Sequence, residues 1–507
     1  MHRHDSIVLT MLAILQRHVH VLVAFVVFII LVGSFWSGKT AFVSKVLEHP
    51  KKAINDYEQD YTLLQSLNLS SSHIEYRRHC IDVELSKDVA WSSLTNVTWA
   101  ILPDPHSVST DLFNEETESA ISLPSCQTTS KLQVPFDGRV PVTHTESLML
   151  GLATFSARLN ESLPEMARWL SRTETTLVVL LRDQPGDLEL KSIRANAVNL
   201  NIRVIIKRSH EPESGEAQSN FGLATILHSC HRPETKWFGI IDDDTFFPSL
   251  PRLLKALEPY DPTQLWYLGA LTERHLGIST EGFKAWGGAG IFLSAPLLAK
   301  VAAHSEDCLQ LSGTWGDALW RDCIFNITSP TVQLTQLPGL HQLDMFESMA
   351  GWYESGPHPL LSLHHWKSWH SFPVPLAHLV TDVAGIDSLF QRYLTPENVT
   401  LTNGYSIVQY QKGLPDFGLV EGTMYPYPGS VMPEDGAREF HDSLGALRPA
   451  LEEGAEKMSW IFVNAVKAAG GCVRQFYVKK TKAAEMDQSE IAEKGVDSVI
   501  EIDWCGR

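Results

Sequence analysis

Four continuous apolar runs, separated by stretches of helical spacing, constrain the fold of this chain more than any other feature. They are Leu148-Met-Leu-Gly-Leu-Ala-Thr154, Thr176-Leu-Val-Val-Leu-Leu181, Ile202-Arg-Val-Ile-Ile206 and Trp237-Phe-Gly-Ile-Ile241. Between the first two, Leu159, Leu163, Met166 and Leu170 recur on one helical face. Pro164 inside that run places the start of the helix proper near it, because proline lacks the N–H that an interior position needs. Glu189 to Val198 and residues 219–230 read as further helices. Alternating buried strands and helices imply an α/β fold with a largely parallel sheet covered on both faces. In such sheets ligands gather beyond the carboxyl ends of the strands. Asp183 and the triplet Asp242-Asp243-Asp244 fall there.

The triplet is the chemically loudest element. Three adjacent carboxylates repel and must be solvated or neutralised. A solvated acidic turn after a buried strand is one outcome. A hard divalent cation is the other, and Mg2+ or Mn2+ held by one or two carboxylates usually also holds substrate phosphates. Three further stretches carry candidate groups. Trp286-Gly-Gly-Ala-Gly290 allows close approach of a ligand to the backbone, or makes an ordinary tight turn. Gly313-Thr-Trp-Gly-Asp-Ala-Leu-Trp-Arg-Asp-Cys323 offers Asp317 and Asp322, of which Asp317 can cap a helix. Leu361-Ser-Leu-His-His-Trp366 ends a strand-like run with two histidines, natural third ligands beside a metal carboxylate.

The formal charge of -18 over 507 residues argues against a nucleic-acid partner, which requires a basic face. The seven cysteines form no C-x-x-C pair. Cys308 with Cys323 is the first candidate disulfide, with Cys472–Cys505 and Cys80–Cys126 as the others, all in an oxidising compartment. Val19 to Trp36 is almost wholly apolar and spans roughly 27 Å as a helix, enough for a bilayer core; a cleaved signal peptide is the alternative. Flanking charges favour neither orientation clearly. Five sequons, at Asn68, Asn96, Asn160, Asn326 and Asn398, favour a lumenal body. Gly33 to Thr40 fits the phosphate-loop spacing, but bulky Phe35 and Trp36 and the terminal position argue against that use. The Ser/Thr-rich stretches 66–73 and 106–130 read as a stem with an extension. The tail reads as helical around 447–469.

Taken in order, Asp242-Asp-Asp244, Trp286-Gly-Gly-Ala-Gly290, Gly316-Asp317 with Cys323-Ile324, Pro338-Gly-Leu-His-Gln-Leu-Asp344 and Pro359-Leu-Leu-Ser-Leu-His-His365 form a set. With Asn403-Gly-Tyr-Ser-Ile-Val408, this set resembles the Fringe-like glycosyltransferases of family 31, of the DUF604 type found in fungi and plants, over about 148–412. The resemblance implies a GT-A, Rossmann-like mixed sheet flanked by helices behind an N-terminal transmembrane helix. The expected organisation is a cytoplasmic tail at 1–18, a signal anchor at 19–36, a stem and extension at 37–145, the catalytic domain at 146–412 and a C-terminal extension at 413–507. It implies a type II Golgi (or ER) membrane glycoprotein with a lumenal catalytic body. The expected activity is inverting transfer, usually β1,3, from a UDP-sugar to a glycan or glycoprotein hydroxyl with Mn2+ (or Mg2+). Carried over residue by residue, Asp244 and His364 bind the metal, with His365 the second choice of imidazole. Asp242 binds the metal or ribose, and Asp243 faces the donor sugar. Arg158, Asp183, Gly287 and Gly288 lie near the nucleotide, and Asp317 is the catalytic base. Relatives often pair that base with a second acid, where this chain has Ala318. A GT-A domain that binds a nucleotide-sugar or glycan without turnover is the alternative reading.

Overall fold

The buried apolar runs build a seven-stranded sheet, and their alternation decides which helix covers which face. The computed structural model describes residues 63–67, 69, 73–109, 123, 125–126, 129–135, 145–209, 220–311, 316–425, 444–480 and 496–506. All of these belong to one compact unit, Leu63–Arg507. The expected tail, anchor and phosphate-loop look-alike lie outside the described residues. Among the described residues, no helix is long and apolar enough to cross a membrane.

Leu148–Thr154, Thr176–Leu181 and Trp237–Ile241 are almost entirely buried because both faces of the sheet are covered. Side chains two apart share a face. Leu150 and Leu152 therefore pack with Leu159 and Leu163 of the helix Ser156–Leu170. Met149, Val178, Phe238 and Ile240 pack on the opposite side, with Leu227, Leu297 and Trp320 from three other helices. The helix Ser156–Leu170 begins eight residues before Pro164, contrary to the expectation from the proline. Four buried side chains at the expected spacing, and an N-terminal cap described below, outweigh the roughly 3 kcal/mol cost of an interior proline.

Across the sheet the strands run Leu334–Gln336, Tyr267–Gly269, Ile291–Ser294, Trp237–Ile241, Leu148–Thr154, Thr176–Leu181, Arg203–Arg208. Ile291–Ser294 is antiparallel to both neighbours, and every other pairing is parallel. From Leu148–Thr154 the chain steps outward through two strands, then returns to the other side at Trp237–Ile241. The order therefore reverses between those two strands, which opens a crevice at their carboxyl ends.

A ten-stranded sheet stands beside it. It gathers Thr95–Asn96, Arg392–Thr395, Val399–Thr402, Ser406–Tyr410, Lys457–Lys467, Val473–Lys479, Asp497–Gly506 and His73–Ser86 in that order. His106–Ser109 and Thr129–Pro135 also pair with His73–Ser86. His73–Ser86 lies parallel to Asp497–Gly506, joining the beginning and end of the described chain. Of the expected stem and extension, His73–Ser86, Thr95–Asn96, His106–Ser109 and Thr129–Pro135 are strands of this sheet, with Ile74, Tyr76, Ile81 and Val83 buried in it. The helix expected around 447–469 is the strand Lys457–Lys467. Its core, Trp460-Ile-Phe-Val, is aromatic and β-branched, which suits a pleated surface better than a helix. Arg168 bonds Asp382 at 3.0 Å, and Arg252 bonds Asp387 at 2.7 Å, tying helices of the first sheet to the segment that leads into the second. The three expected disulfides, Cys308–Cys323, Cys472–Cys505 and Cys80–Cys126, are all present, and Cys230 is free.

Candidate functional site

The crevice between Leu148–Thr154 and Trp237–Ile241 receives the carboxylate triplet, and each of the three acids meets a different environment. Asp242 keeps 44% of its side chain exposed. Asp243 is buried; it accepts hydrogen bonds from Thr154 Oγ1, at the end of the neighbouring strand, and from Arg158 in the first turn of the following helix. Burial raises the Asp243 carboxyl pKa, against the pull of the Arg158 guanidinium. Asp244 is also buried, yet its carboxyl is held far below the usual range. Burial opposes this, and the His364 imidazole 3.0 Å away overcomes it. The backbone is fixed by Thr245, whose Oγ1 accepts from Asp242 N–H and donates to the carbonyl of Gly288.

His364 arrives from the loop after Leu363, which is bridged to Phe246. Its Nε2 lies 3.3 Å from Asp242 and 3.0 Å from Asp244. Its Nδ1 lies 3.2 Å from the carbonyl of Gln342, which fixes the tautomer so that Nε2 faces the acids. Despite burial, Asp244 and Asp242 raise the His364 pKa well above the ordinary value. His365 packs against His364, with ring centroids 3.7 Å apart, and stacks on Trp369 at 3.9 Å. Burial, and then His364, push its pKa down to about 2, so this ring is neutral. Asp244, His364 and His365 offer ligand atoms within 4.8 Å of one another. A carboxylate with two imidazoles forms a donor set that can hold a first-row divalent ion. Cys80, Cys126 and Asp503 also cluster, but that pair of sulfurs is consumed in a disulfide.

The glycine loop shows why it has no side chains. A Cβ on Gly288 would collide with the His364 ring, and one on Gly287 would sit 2.6 Å from Asp317 Oδ1. The close approach expected for a bound nucleotide at Gly287 and Gly288 is thus made by the protein's own histidine and carboxylate. Asp317 stands in the first turn of Gly316–Ile327 and accepts the Gly287 N–H at 2.9 Å. Burial raises its carboxyl pKa to about 6, with the Asp242 charge adding to the rise and Lys284, 3.9 Å away, opposing it. Lys284 is itself buried against the Trp286 ring and paired to Glu281. Asp322, on the same helix, is bonded to Arg321.

Asp242, Asp243, Asp244, Arg158, His364, Gly287, Gly288 and Asp317 therefore converge on one crevice. Asp183 does not join the triplet. Its carboxylate accepts the Ser156 backbone N–H at 3.0 Å and the Ser156 hydroxyl at 2.6 Å, capping the helix Ser156–Leu170. A strand-end acid next to a helix start satisfies orphan N–H groups as readily as it meets a ligand. Asp243, expected to face a donor sugar, is occupied by Thr154 and Arg158. Sequence reasoning missed Thr154, Thr245, Gln342 and Lys284. Thr154 had a signal, being a hydroxyl that ends an apolar run. Gln342 had another, since it sits inside a motif that otherwise lacked a role.

The family described as "Protein of unknown function, DUF604" matches residues 279–399, which carry the glycine loop, Asp317 and both histidines. Among solved structures, the chain aligns with a mannosyltransferase, PcManGT, from Pyrobaculum calidifontis, solved with GDP-Man and Mn2+, at 14% identity and a TM-score of 0.28. That alignment covers 38% of this chain and spans 55% of the mannosyltransferase, about half its length. Mouse xyloside xylosyltransferase 1 aligns at 12% identity over 42% of this chain and 91% of its own, with a TM-score of 0.25. The glycosyltransferase GlyE of Streptococcus pneumoniae TIGR4 aligns at 11% identity over 37% of this chain and 44% of its own, with a TM-score of 0.26.

Proposed function

We propose that this chain is a metal-dependent, inverting glycosyltransferase that moves a sugar from a nucleotide diphosphate donor, a UDP-sugar, to a hydroxyl of a glycan or glycoprotein. The observation that carries the reading is the pairing of Asp244 with His364 at the sheet's switch point, with Asp317 held against the same glycine loop. Asp244, His364 and either Asp242 or His365 would hold Mn2+ or Mg2+. When bound, the cation supplies neutralising charge for the diphosphate and for the negative charge on the departing nucleotide. Asp243 keeps Arg158 at the crevice, where a half-exposed guanidinium suits a phosphate or ribose oxygen. Asp317, raised to about 6 by burial, is ionised at neutral pH and remains basic enough to take the proton of an attacking acceptor hydroxyl. Attack from the face opposite the leaving group inverts the anomeric centre, as a β1,3-linking GT-A enzyme requires.

A lumenal, type II Golgi or ER setting is part of the proposal. Asn96, Asn160, Asn326 and Asn398 are all exposed, as glycan acceptors must be, and the three disulfides suit an oxidising lumen. The test is calorimetric titration of the purified chain with UDP, with and without Mn2+, together with donor hydrolysis across UDP-sugars. The expected outcome is Mn2+-dependent binding that Asp244→Ala abolishes, with slow hydrolysis of one donor. Equal UDP affinity with and without the ion overturns the metal-dependent reading. The engagement of Asp317 by Gly287 and Lys284 favours one alternative, a nucleotide-sugar-binding protein without turnover, and that alternative predicts binding with no hydrolysis.

A further inference from the structure

A second concavity lies next to the crevice, and the loop that supplies His364 also builds part of it. It is a cavity of about 230 Å3 between the 347–353 and 370–373 segments, Tyr405 just before the strand Ser406–Tyr410, and the strand Lys457–Lys467. That volume has room for several waters, on the scale of one sugar ring. Tyr353, Phe372, Tyr405 and Phe462 form its aromatic lining. The Tyr353 and Tyr405 rings are stacked with centroids 4.5 Å apart, and Phe372 leans on Tyr405 at 5.0 Å. Polar groups at its edge are exposed Glu347, exposed Ser371 and half-buried His370.

Two details distinguish this cavity from a packing defect. The hydroxyl of fully buried Tyr353 has no hydrogen-bond partner among the described residues. A buried phenol without a partner calls for an ordered water or a ligand. His370 is fixed by its Nε2 bond to the carbonyl of Leu343 at 2.8 Å, which leaves Nδ1 as a potential acceptor. The adjacent carbonyl, that of Gln342, fixes His364 in the crevice. Two consecutive carbonyls thus orient one imidazole for the metal site and one for the cavity. Between them stands the ridge His365–Trp369–Phe346, stacked at 3.9 and 4.7 Å, with Trp369 44% exposed. Leu343, Glu347, His365 and Ser371 all adopt left-handed backbone conformations, which is costly for residues with side chains and concentrates at sites that bind.

Aromatic faces beside a carboxylate, a hydroxyl and an imidazole acceptor match a neutral polyhydroxylated ring: the CH faces pack on the aromatics and the OH groups donate to Glu347 and His370. We infer that this cavity is a monosaccharide subsite, holding a sugar unit of the acceptor glycan at a distance from the reacting hydroxyl. The inference rests on the glycosyltransferase reading and names where the acceptor is gripped.

The test uses the full chain and a panel of methyl glycosides of glucose, galactose, mannose, xylose and N-acetylglucosamine, read by saturation-transfer NMR with UDP and Mn2+ present. At least one glycoside is expected to bind. Ile461→Trp, a β-compatible change at a 37% exposed position lining the cavity, should weaken that binding at least tenfold and leave UDP affinity unchanged. Tyr353→Phe removes only the unpartnered hydroxyl; it should keep the thermal midpoint and weaken the glycoside severalfold. Silence of the whole panel with the parent protein, or parent-like binding in both variants, overturns the subsite. Cavity-dependent glycoside binding without UDP binding sustains the subsite and removes the transferase reading instead.

Discussion

The seven-stranded and ten-stranded sheets differ in how far apart in sequence their neighbours lie, and that difference separates chemistry from scaffold. In the first sheet, the strands Leu148–Thr154 to Trp237–Ile241 follow one another closely, and their shared carboxyl edge presents the triplet. In the second, three distant stretches meet, and Trp504 and Tyr477 are fully buried. A largely parallel sheet with a switch point creates a place for ligands, whereas a mixed sheet with antiparallel hairpins at its centre creates a wall. The wall is still not passive, since Ile461 and Phe462 of Lys457–Lys467, with Tyr405 just before Ser406–Tyr410, line one side of the cavity beside the site.

If labour is divided in this way, substitutions in the two sheets should fail differently. Asp317→Asn is expected to lower transfer by about two to four orders of magnitude, the usual contribution of a general base, with UDP affinity and thermal midpoint unchanged. Steady-state kinetics beside a melting curve checks this, and a variant that retains turnover would move the base elsewhere. Trp504→Ala should do the reverse. It removes a buried indole that bonds Gln475 at 2.7 Å, and it should cost about 3–5 kcal/mol in denaturant unfolding. Turnover per folded molecule should stay at the parent value; a parallel loss of kcat would mean that the wall shapes the site directly.

The next effect is a pH dependence. Burial holds Asp317 near 6, above the ordinary carboxyl value, and the base works only when ionised. Activity should be level above about pH 7 and fall roughly tenfold per unit below about 6, and the residual activity of Asp317→Asn should lose that limb. A limb that survives in Asp317→Asn assigns it to another group. The smallest change is expected from Asp322→Asn, which loses only a partly exposed pair with Arg321, worth less than about 1 kcal/mol. Activity should stay within about twofold, and a larger loss would erase the distinction drawn between the two acids of that helix.

The same contrast explains what could be read from the sequence. Continuous apolar runs announce strands covered on both faces, so the parallel strands of the first sheet and the triplet at a carboxyl end were visible. The second sheet was not, because His73–Ser86 finds its main partner more than four hundred residues away and carries no local sign of it. Lys457–Lys467 was read as a helix because its apolar residues fit either period over so short a stretch. Within the site, residue type was readable and orientation was not. Asp183 and Asp243 look equally available in the sequence, yet one caps a helix and the other is gripped by Thr154 and Arg158. Gly287 and Gly288 announced a close approach, but not that His364 and Asp317 would make it.

The pairing of His73–Ser86 with Asp497–Gly506 also sets a clock for biosynthesis. Arg78 must wait for Asp503, 425 residues later, before its bond can form. At 5–20 residues per second, that interval is roughly 20–85 s of elongation. Throughout it one side of a long, partly apolar strand presents unpaired N–H and C=O groups, a template for pairing with the wrong chain. The first described strand is thus among the last to be completed. A premature stop after Asp497 would leave the residues of the crevice intact in sequence, yet deliver a chain with a permanently open edge, one that folding catalysts would have to retain.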